Sequence, residues 1–139
     1  MAKQKVLFLC AGNSCRSQMA EGWLRHLAGD RFDVQSAGTQ PAGLNPGAVA
    51  VMREAGVDIS AHRSKHLDEF TGMQFDLVVT VCDRAKETCP IFPGARTALH
   101  WSFDDPAAAQ GPDEARQAVF RRVRDEIAAH IRRTLLVTR

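Results

Sequence analysis

Four apolar stretches have the length of β-strands, and three longer stretches have the apolar periodicity of helices. The predicted strands cover residues 4–10, 31–36, 75–81 and 97–101. The predicted helices start at Ser17, at the Asn45-Pro46 cap and ahead of Phe120; Gly29 and Gly56 close the first two, and a short helix is expected near residues 65–70. The apolar stripe of the last helix comprises Phe120, Val123, Ile127, Ile131 and Leu135. This alternation predicts an α/β fold, with three layers doubly wound around a four-stranded parallel sheet.

Three chemically distinctive segments directly follow predicted strands. They are Cys10, Cys82 and the Ser-Phe-Asp-Asp segment at residues 102–105. In doubly wound sheets, ligands bind at the carboxyl ends of the strands. We therefore expect these segments to meet at one edge of the sheet.

The first segment, CAGNSCRS at residues 10–17, has the pattern of a covalent oxyanion-binding loop. Cys10 and Arg16 can face the same point if the backbone between them curls with its N–H groups inward. Arg16 would bind two anion oxygens, and the positive field of the loop and helix start favours the thiolate of Cys10. Cys10 is therefore predicted to be a nucleophile. The residues expected to hold the anion are Ala11, Gly12, Asn13, Ser14, Cys15, Arg16 and Ser17.

Cys82 and Cys89 extend this chemistry to a relay of thiols. If Cys10 forms an adduct with a reducible oxyanion, Cys82 can attack the Cys10 sulfur, and Cys89 can then carry the disulfide outward to an external dithiol protein. Buried apolar cysteines are the ordinary alternative, and the spacings do not match a usual zinc site. Asp104 and Asp105 are candidate general acids, and spacing does not distinguish between them.

Length and composition are consistent with one domain over residues 1–139. The net charge of +2, from 18 basic and 16 acidic residues, does not favour a nucleic-acid partner. The chain shows neither a signal sequence nor a membrane span, so we expect a cytoplasmic protein without a membrane partner. We also expect a monomer, with no metal and no tightly bound cofactor.

Five motifs of the chain resemble those of the thioredoxin-coupled arsenate reductases, which share the fold of the low-molecular-weight protein tyrosine phosphatases. The motifs are CAGNSCRSQMAEGW from residue 10, SAGT at 36–39, LVVTVCD ending at 83, CPIFP from 89 and HWSFDDPA from 100. The resemblance implies that Cys10 attacks arsenate, that Arg16 and the loop amides hold it, and that Asp105 is the acid. It also implies that Cys82 and Cys89 relay the disulfide to reduced thioredoxin, the electron source. Ser17 matches a hydroxyl that donates to the thiolate, and Asn13 matches a residue that fixes the loop shape.

Two rival functions remain at this stage. A tyrosine phosphatase would use Cys10, Arg16 and Asp105 for phosphoryl transfer, although the chain has no tyrosine and few aromatic residues near the acid. A weak phosphatase side activity is compatible with either reading. A protein that binds arsenite or senses redox state would hold the product without turnover. A glutaredoxin or a small thiol is the alternative electron donor.

One position departs from the family pattern. Some of these reductases bind a structural potassium ion through the positions of Asn13, Glu21 and Ser36 and an aspartate where this chain has Lys65. A cationic side chain cannot be a cation ligand, so we predict that no potassium binds. Either the Lys65 ammonium takes the place of the ion, or Lys65 is a solvated surface lysine.

Overall fold

A computed structural model describes residues 3–81 and 92–136, which form a four-stranded parallel sheet and three α-helices. The strands are β1 (Gln4–Leu9), β2 (Phe32–Ala37), β3 (Phe75–Thr80) and β4 (Ala95–His100). The helices are α1 (Arg16–Ala28), α2 (Pro46–Glu54) and α3 (Asp113–Thr134), with short 3₁₀ helices at Leu67–Phe70 and Pro106–Ala108. The predicted strands and helices are confirmed, with small shifts at their ends.

The order of the strands, β2-β1-β3-β4, places β1 in the interior of the sheet, with parallel neighbours on both sides. A parallel neighbour requires a crossover connection, and α1 provides the one between β1 and β2. The α/β class and the four-stranded parallel sheet are therefore confirmed.

Both faces of β1 are buried, which accounts for its continuous apolar run. Val6 and Phe8 belong to the larger core, together with residues of all three α-helices. Leu7 belongs to a smaller core that includes Phe70 and Phe92. The sheet is thus covered on both faces. Within residues 3–81 and 92–136, the face with the smaller core is covered by the 3₁₀ helix Leu67–Phe70 and by Phe92. The doubly wound pattern suggested α-helices on this face.

Local sequence signals account for the ends of α2. The Asn45 side chain accepts a hydrogen bond from the Gly47 N–H at 2.7 Å, and Pro46 occupies the first helical position. Gly56 follows the helix with a φ of +84°, the left-handed conformation that glycine adopts without steric cost. Both predicted caps of α2 are confirmed.

No helix in the described part of the chain is long and apolar enough to cross a membrane. The longest of these helices, α3, carries charged residues along its solvent-facing side and an apolar stripe on the other. That stripe is confirmed as core for Phe120, Val123, Ile127 and Ile131, which are all buried.

The end of β2 approaches the loop after β1 very closely at Gly38. A Cβ atom at this position would lie 2.5 Å from the Ala11 carbonyl oxygen and 2.6 Å from that of Cys10. It would also lie 2.9 Å from the Asn13 nitrogen. Because all of these are backbone atoms, the loop can pack against β2 only if residue 38 has no side chain.

Gly38→Ala is therefore expected to destabilise the protein by about 1–3 kcal/mol or more, because the new methyl group overpacks against the backbone. Urea unfolding monitored by circular dichroism measures this change. Gly12→Ala is the matched control: it adds the same group to the same loop, but its Cβ would meet no atom closer than 3.6 Å. Equal stability of the two variants would contradict the argument.

Candidate active site

A cavity of about 180 Å³ lies at the carboxyl edge of the sheet, just beyond the end of β1. Cys10 and Arg16 are almost completely buried in its wall, and Asp105 reaches it from the segment after β4. The structure thus brings together a thiol, a guanidinium and a carboxyl group from three separate parts of the fold. The full lining comprises Cys10, Gly12, Ser14, Cys15, Arg16, Ala42, Asp105 and Ala107.

The backbone of the loop is held open by the segment at residues 40–45. N–H groups of that segment donate to three loop carbonyls at 2.9–3.2 Å, those of Ala11, Gly12 and Ser14. In a trans peptide the C=O and the N–H point in opposite directions, and no cis peptide occurs in the described residues. The N–H groups of residues 12, 13 and 15 therefore point away from the 40–45 segment. On that opposite side of the loop they can bind an anion.

The start of α1 adds further donors. Cys15 occupies the N-cap position without a side-chain hydrogen bond to the helix, and no acidic residue lies in the first turn. The first N–H groups of a helix have no partner within it, and the helix dipole is positive at this end. A negatively charged ligand in the cavity is therefore favoured over a neutral one.

Asn13 determines the shape of the loop. Its φ of +45° makes it the one non-glycine residue with a positive φ in the described part of the chain. Its Oδ1 atom accepts hydrogen bonds from the Gln18 Nε2 atom at 3.0 Å and from the Lys65 backbone N–H at 2.8 Å. Because Oδ1 is saturated by these donors, the amide orientation is defined, and Nδ2 donates to the Ser17 Oγ atom at 2.8 Å.

The Ser17 hydroxyl lies between Asn13 and the Cys10 thiol. Its oxygen accepts from Asn13, so its own hydrogen is available for the Cys10 Sγ atom 2.9 Å away. A hydroxyl that donates to sulfur stabilises the thiolate, which is the nucleophilic form of cysteine.

Arg16 is oriented by the segment that follows β4. Its Nη1 atom donates to the Phe103 carbonyl at 3.2 Å, and its Nη2 atom lies 3.8 Å from the Asp105 Oδ2 atom. These contacts hold the guanidinium in the wall of the cavity, next to Cys10. The backbone contact to Phe103 was not foreseen, because nothing in the sequence pairs residue 16 with residue 103.

The structure separates the two neighbouring aspartates. Asp105 lines the cavity, and its Oδ1 atom caps the following 3₁₀ helix by accepting from the Ala107 N–H at 3.0 Å. Asp104 points outward and forms an ion pair with Arg122 of α3 at 3.0 Å. Of these two carboxyl groups, only that of Asp105 lies beside Cys10.

Cys15 differs from Cys10 although both thiols line the cavity. Burial raises the pKa of the Cys15 thiol to about 12, and its hydrogen bond to Ser14 offsets this only in part. Cys15 is therefore a protonated thiol at neutral pH. Cys15 is almost completely buried in the cavity wall, where its thiol packs as a small apolar group.

Some of the predicted site residues lie elsewhere. Cys82 and Cys89 fall outside the described residues, so their roles stay predictions. Asn13 and Ser17, expected among the anion-binding residues, are fully buried and are not part of the cavity lining. Their side chains act from behind the loop, and Ala11 is also absent from the lining.

Gln18 connects the active-site loop to the segment at residues 62–64. Its Nε2 atom donates to the backbone carbonyl of Asn13 at 3.2 Å and to that of Arg63 at 3.1 Å. Its Oε1 atom contacts the His62 Nδ1 atom at 3.1 Å, and burial lowers the pKa of His62. Ser64 donates to the Gly12 carbonyl at 3.2 Å. The sequence signal for these contacts is weak, because residues 62–64 follow no recognisable motif.

A buried charged cluster lies behind the loop. The Glu21 Oε1 atom accepts a hydrogen bond from the Ser36 hydroxyl and lies 3.8 Å from the Lys65 Nζ atom. Lys65 is only 8% exposed, so the alternative of a solvated surface lysine is wrong. No group of three or more His, Cys, Asp or Glu side chains suited to a metal occurs in residues 3–81 and 92–136.

Comparison with known proteins agrees with this geometry. Residues 5–137 match the low molecular weight phosphotyrosine protein phosphatases. An arsenate reductase of Halalkalibacterium halodurans is 52% identical over 132 residues, which cover 95% of each chain.

Solved structures give the same assignment. An arsenate reductase in the phosphate binding state superimposes with a TM-score of 0.78 at 32% identity, over 94% of this chain and 95% of that chain. A thioredoxin-dependent arsenate reductase of Corynebacterium glutamicum superimposes with a TM-score of 0.66 at 29% identity, over 96% of this chain and 63% of that chain. The match over nearly the whole chain, together with the loop geometry, shows that this chain belongs to the low molecular weight phosphotyrosine protein phosphatase family and, within it, to the arsenate reductases.

Proposed function

We propose that this enzyme reduces arsenate to arsenite, with Cys10 as nucleophile and with Cys82 and Cys89 as a thiol relay that reduced thioredoxin regenerates. The observation that carries the proposal is the Cys10 thiol, which lies 2.9 Å from the Ser17 hydroxyl in a cavity shared with Arg16 and Asp105. The names of the relatives, which are arsenate reductases, support arsenate as the oxyanion.

In the first step, the Cys10 thiolate attacks arsenic and forms an S–As bond. One hydroxyl group of arsenate leaves as water after taking a proton from Asp105, so arsenic stays in its +5 state. The Arg16 guanidinium and the loop N–H groups hold the remaining oxygens, where negative charge is concentrated. The cavity volume of about 180 Å³ admits a small tetrahedral anion.

In the second step, the Cys82 thiolate attacks the Cys10 sulfur. A Cys10–Cys82 disulfide forms, the S–As bond breaks, and its electron pair stays on arsenic, which leaves as arsenite. The Cys89 thiolate then attacks the Cys82 sulfur, which releases Cys10 as a thiolate and leaves a Cys82–Cys89 disulfide. The two electrons that arsenic gains are thus provided by two thiols of the protein.

Reduced thioredoxin is the proposed electron donor. Its dithiol returns two electrons to the Cys82–Cys89 disulfide and itself becomes a disulfide. The thioredoxin-dependent reductase of Corynebacterium glutamicum supports this choice over glutaredoxin or a small thiol. No tightly bound cofactor enters these steps.

Cys82→Ser and Cys89→Ser are each expected to reduce multiple turnover by about 10²-fold or more, because each removes a thiol from the relay. The measurement is arsenate-dependent NADPH oxidation with thioredoxin and thioredoxin reductase. Full turnover by both variants would refute the relay. Stoichiometric binding of arsenite by the wild type, without release, would favour an arsenite-binding protein.

Hydrolysis of p-nitrophenyl phosphate provides the internal control for these variants. This weak side activity would need the loop but neither relay thiol, so both variants are expected to keep it within about twofold. A wild type that hydrolyses phosphate esters efficiently and does not turn over arsenate would instead favour the phosphatase function.

Asp105→Asn is expected to lower kcat for arsenate by about 10²-fold, because the leaving oxygen loses its proton donor. Asp104→Asn is the matched control, since it removes the neighbouring carboxylate and breaks only an exposed ion pair with Arg122. Equal rates for the two variants would remove Asp105 from the mechanism. Steady-state kinetics with the thioredoxin system measures both.

Iodoacetamide at pH 7 is expected to modify Cys10 and to leave Cys15 unmodified in the Cys82→Ser/Cys89→Ser double variant. With the Cys15 pKa near 12, its thiolate fraction at pH 7 is roughly 10⁻⁵. Peptide mass spectrometry identifies the modified thiol. Adding Ser17→Ala should slow the modification of Cys10 by about tenfold through loss of one charge-assisted hydrogen bond. Preferential labelling of Cys15 would overturn the assignment of the nucleophile.

A further inference from the structure

Lys65 is buried on the side of the loop away from the substrate cavity, and it connects three elements of the fold. Its backbone N–H donates to the Asn13 Oδ1 atom at 2.8 Å, and its carbonyl accepts from the Gly38 N–H at 2.9 Å. Its ammonium group lies 3.8 Å from the Glu21 Oε1 atom of α1. One residue thus contacts the loop, the end of β2 and α1.

The groups around the ammonium are oxygen acceptors. The Nζ atom donates to the Arg63 carbonyl at 3.1 Å, and the Glu21 carboxylate that it faces also accepts from the Ser36 hydroxyl. Glu21 and Ser36 are 3% and 0% exposed. A carboxylate this deeply buried requires a nearby positive charge.

The charges around Glu21 are divided between its two oxygens. The Oε2 atom pairs with Arg25 at 2.8 Å, and the Arg25 side chain is 45% exposed. The Oε1 atom faces Lys65, and His62 lies 4.0 Å from Oε2. Lys65 is therefore the cation on the inner, loop-facing side of this carboxylate. Burial lowers the pKa of Lys65, and the charge of Glu21 opposes that change.

These residues do not fit a bound potassium ion. A carboxylate, a hydroxyl and a carbonyl form the kind of oxygen set that a monovalent cation takes, but here a lysine ammonium already faces them. An ammonium group donates hydrogen bonds and cannot coordinate a cation, and a second positive charge at this place would be repelled.

We infer that Lys65 is a positioning residue whose ammonium group takes the place of a structural metal ion. It neutralises Glu21 behind the loop. In this way it maintains the Asn13–Ser17 arrangement that contacts Cys10. The inference rests on the proposed function for its kinetic readout. Its stability and anion-binding readouts are independent of arsenate turnover.

The decisive variant is Lys65→Asp, which replaces the ammonium with a carboxylate and recreates an all-oxygen environment. In choline chloride it is expected to lose about tenfold or more in kcat/KM for arsenate and in affinity for inorganic phosphate. Potassium chloride should restore both in a saturable way and raise the melting temperature. Wild-type values are expected to agree within about twofold in choline, sodium and potassium salts.

Lys3→Asp is the matched control, because it makes the same charge change at an exposed lysine. It is expected to behave as the wild type in every salt. Lys65→Met removes the charge without adding a ligand, so its loss of phosphate affinity should be restored by no cation. A residue with only a packing role would lower stability without producing this cation selectivity.

Three results would overturn the inference. They are potassium-specific stabilisation of the wild type, a folded Lys65→Asp variant that does not respond to potassium, and a Lys65→Met variant with wild-type phosphate affinity. If Lys65→Asp does not fold in any salt, Lys65→Met alone decides. Phosphate binding is measured by calorimetry, so a failure of arsenate reduction would contradict the proposed function and leave this test intact.

Discussion

The hydrogen bonds of the Asn13 side chain are the constraint on which the active-site loop depends. Asn13 adopts a φ of +45°, a conformation that costs a non-glycine residue of order 1–3 kcal/mol. Its three side-chain hydrogen bonds, to Ser17, Gln18 and Lys65, are each worth about 1 kcal/mol, so they offset a cost of this size. The same bonds orient the Ser17 hydroxyl toward the Cys10 sulfur. The same hydrogen bonds therefore hold the loop in its conformation and place the Ser17 hydroxyl beside the Cys10 thiol.

Two buried cations lie on opposite sides of this loop and have different tasks. Arg16 lines the cavity at 3.8 Å from Asp105, and its planar guanidinium suits a bidentate contact with an oxyanion. Lys65 lies behind the loop, with its compact charge 3.8 Å from Glu21, and it is not one of the residues that line the cavity. In the proposed function, Arg16 binds the negatively charged substrate, and in our inference Lys65 neutralises Glu21 behind the loop.

Much of the fold could be predicted because its signals are local. The continuous apolar run of β1, the stripe of α3 and the Asn45 cap each follow from the chemistry of neighbouring residues. The loop at residues 10–17 was identifiable for the same reason, since its thiol, its arginine and the helix start are adjacent in the chain. Spacing did not distinguish Asp104 from Asp105, and the family resemblance alone implied Asp105, because the position of each carboxyl group depends on distant contacts such as the ion pair of Asp104 with Arg122 of α3.

The amino-acid sequence by itself determined the element order, the parallel α/β class and the oxyanion-binding character of the loop, because apolar periodicity and turn chemistry act over a few residues. Only the tertiary structure decided which aspartate faces Cys10, that residues 40–45 hold the loop carbonyls, and that Lys65 is buried against Glu21. These features arise from contacts between segments far apart in the chain. A lysine in a basic stretch of sequence becomes an internal cation only when the fold removes it from water and places a carboxylate opposite it.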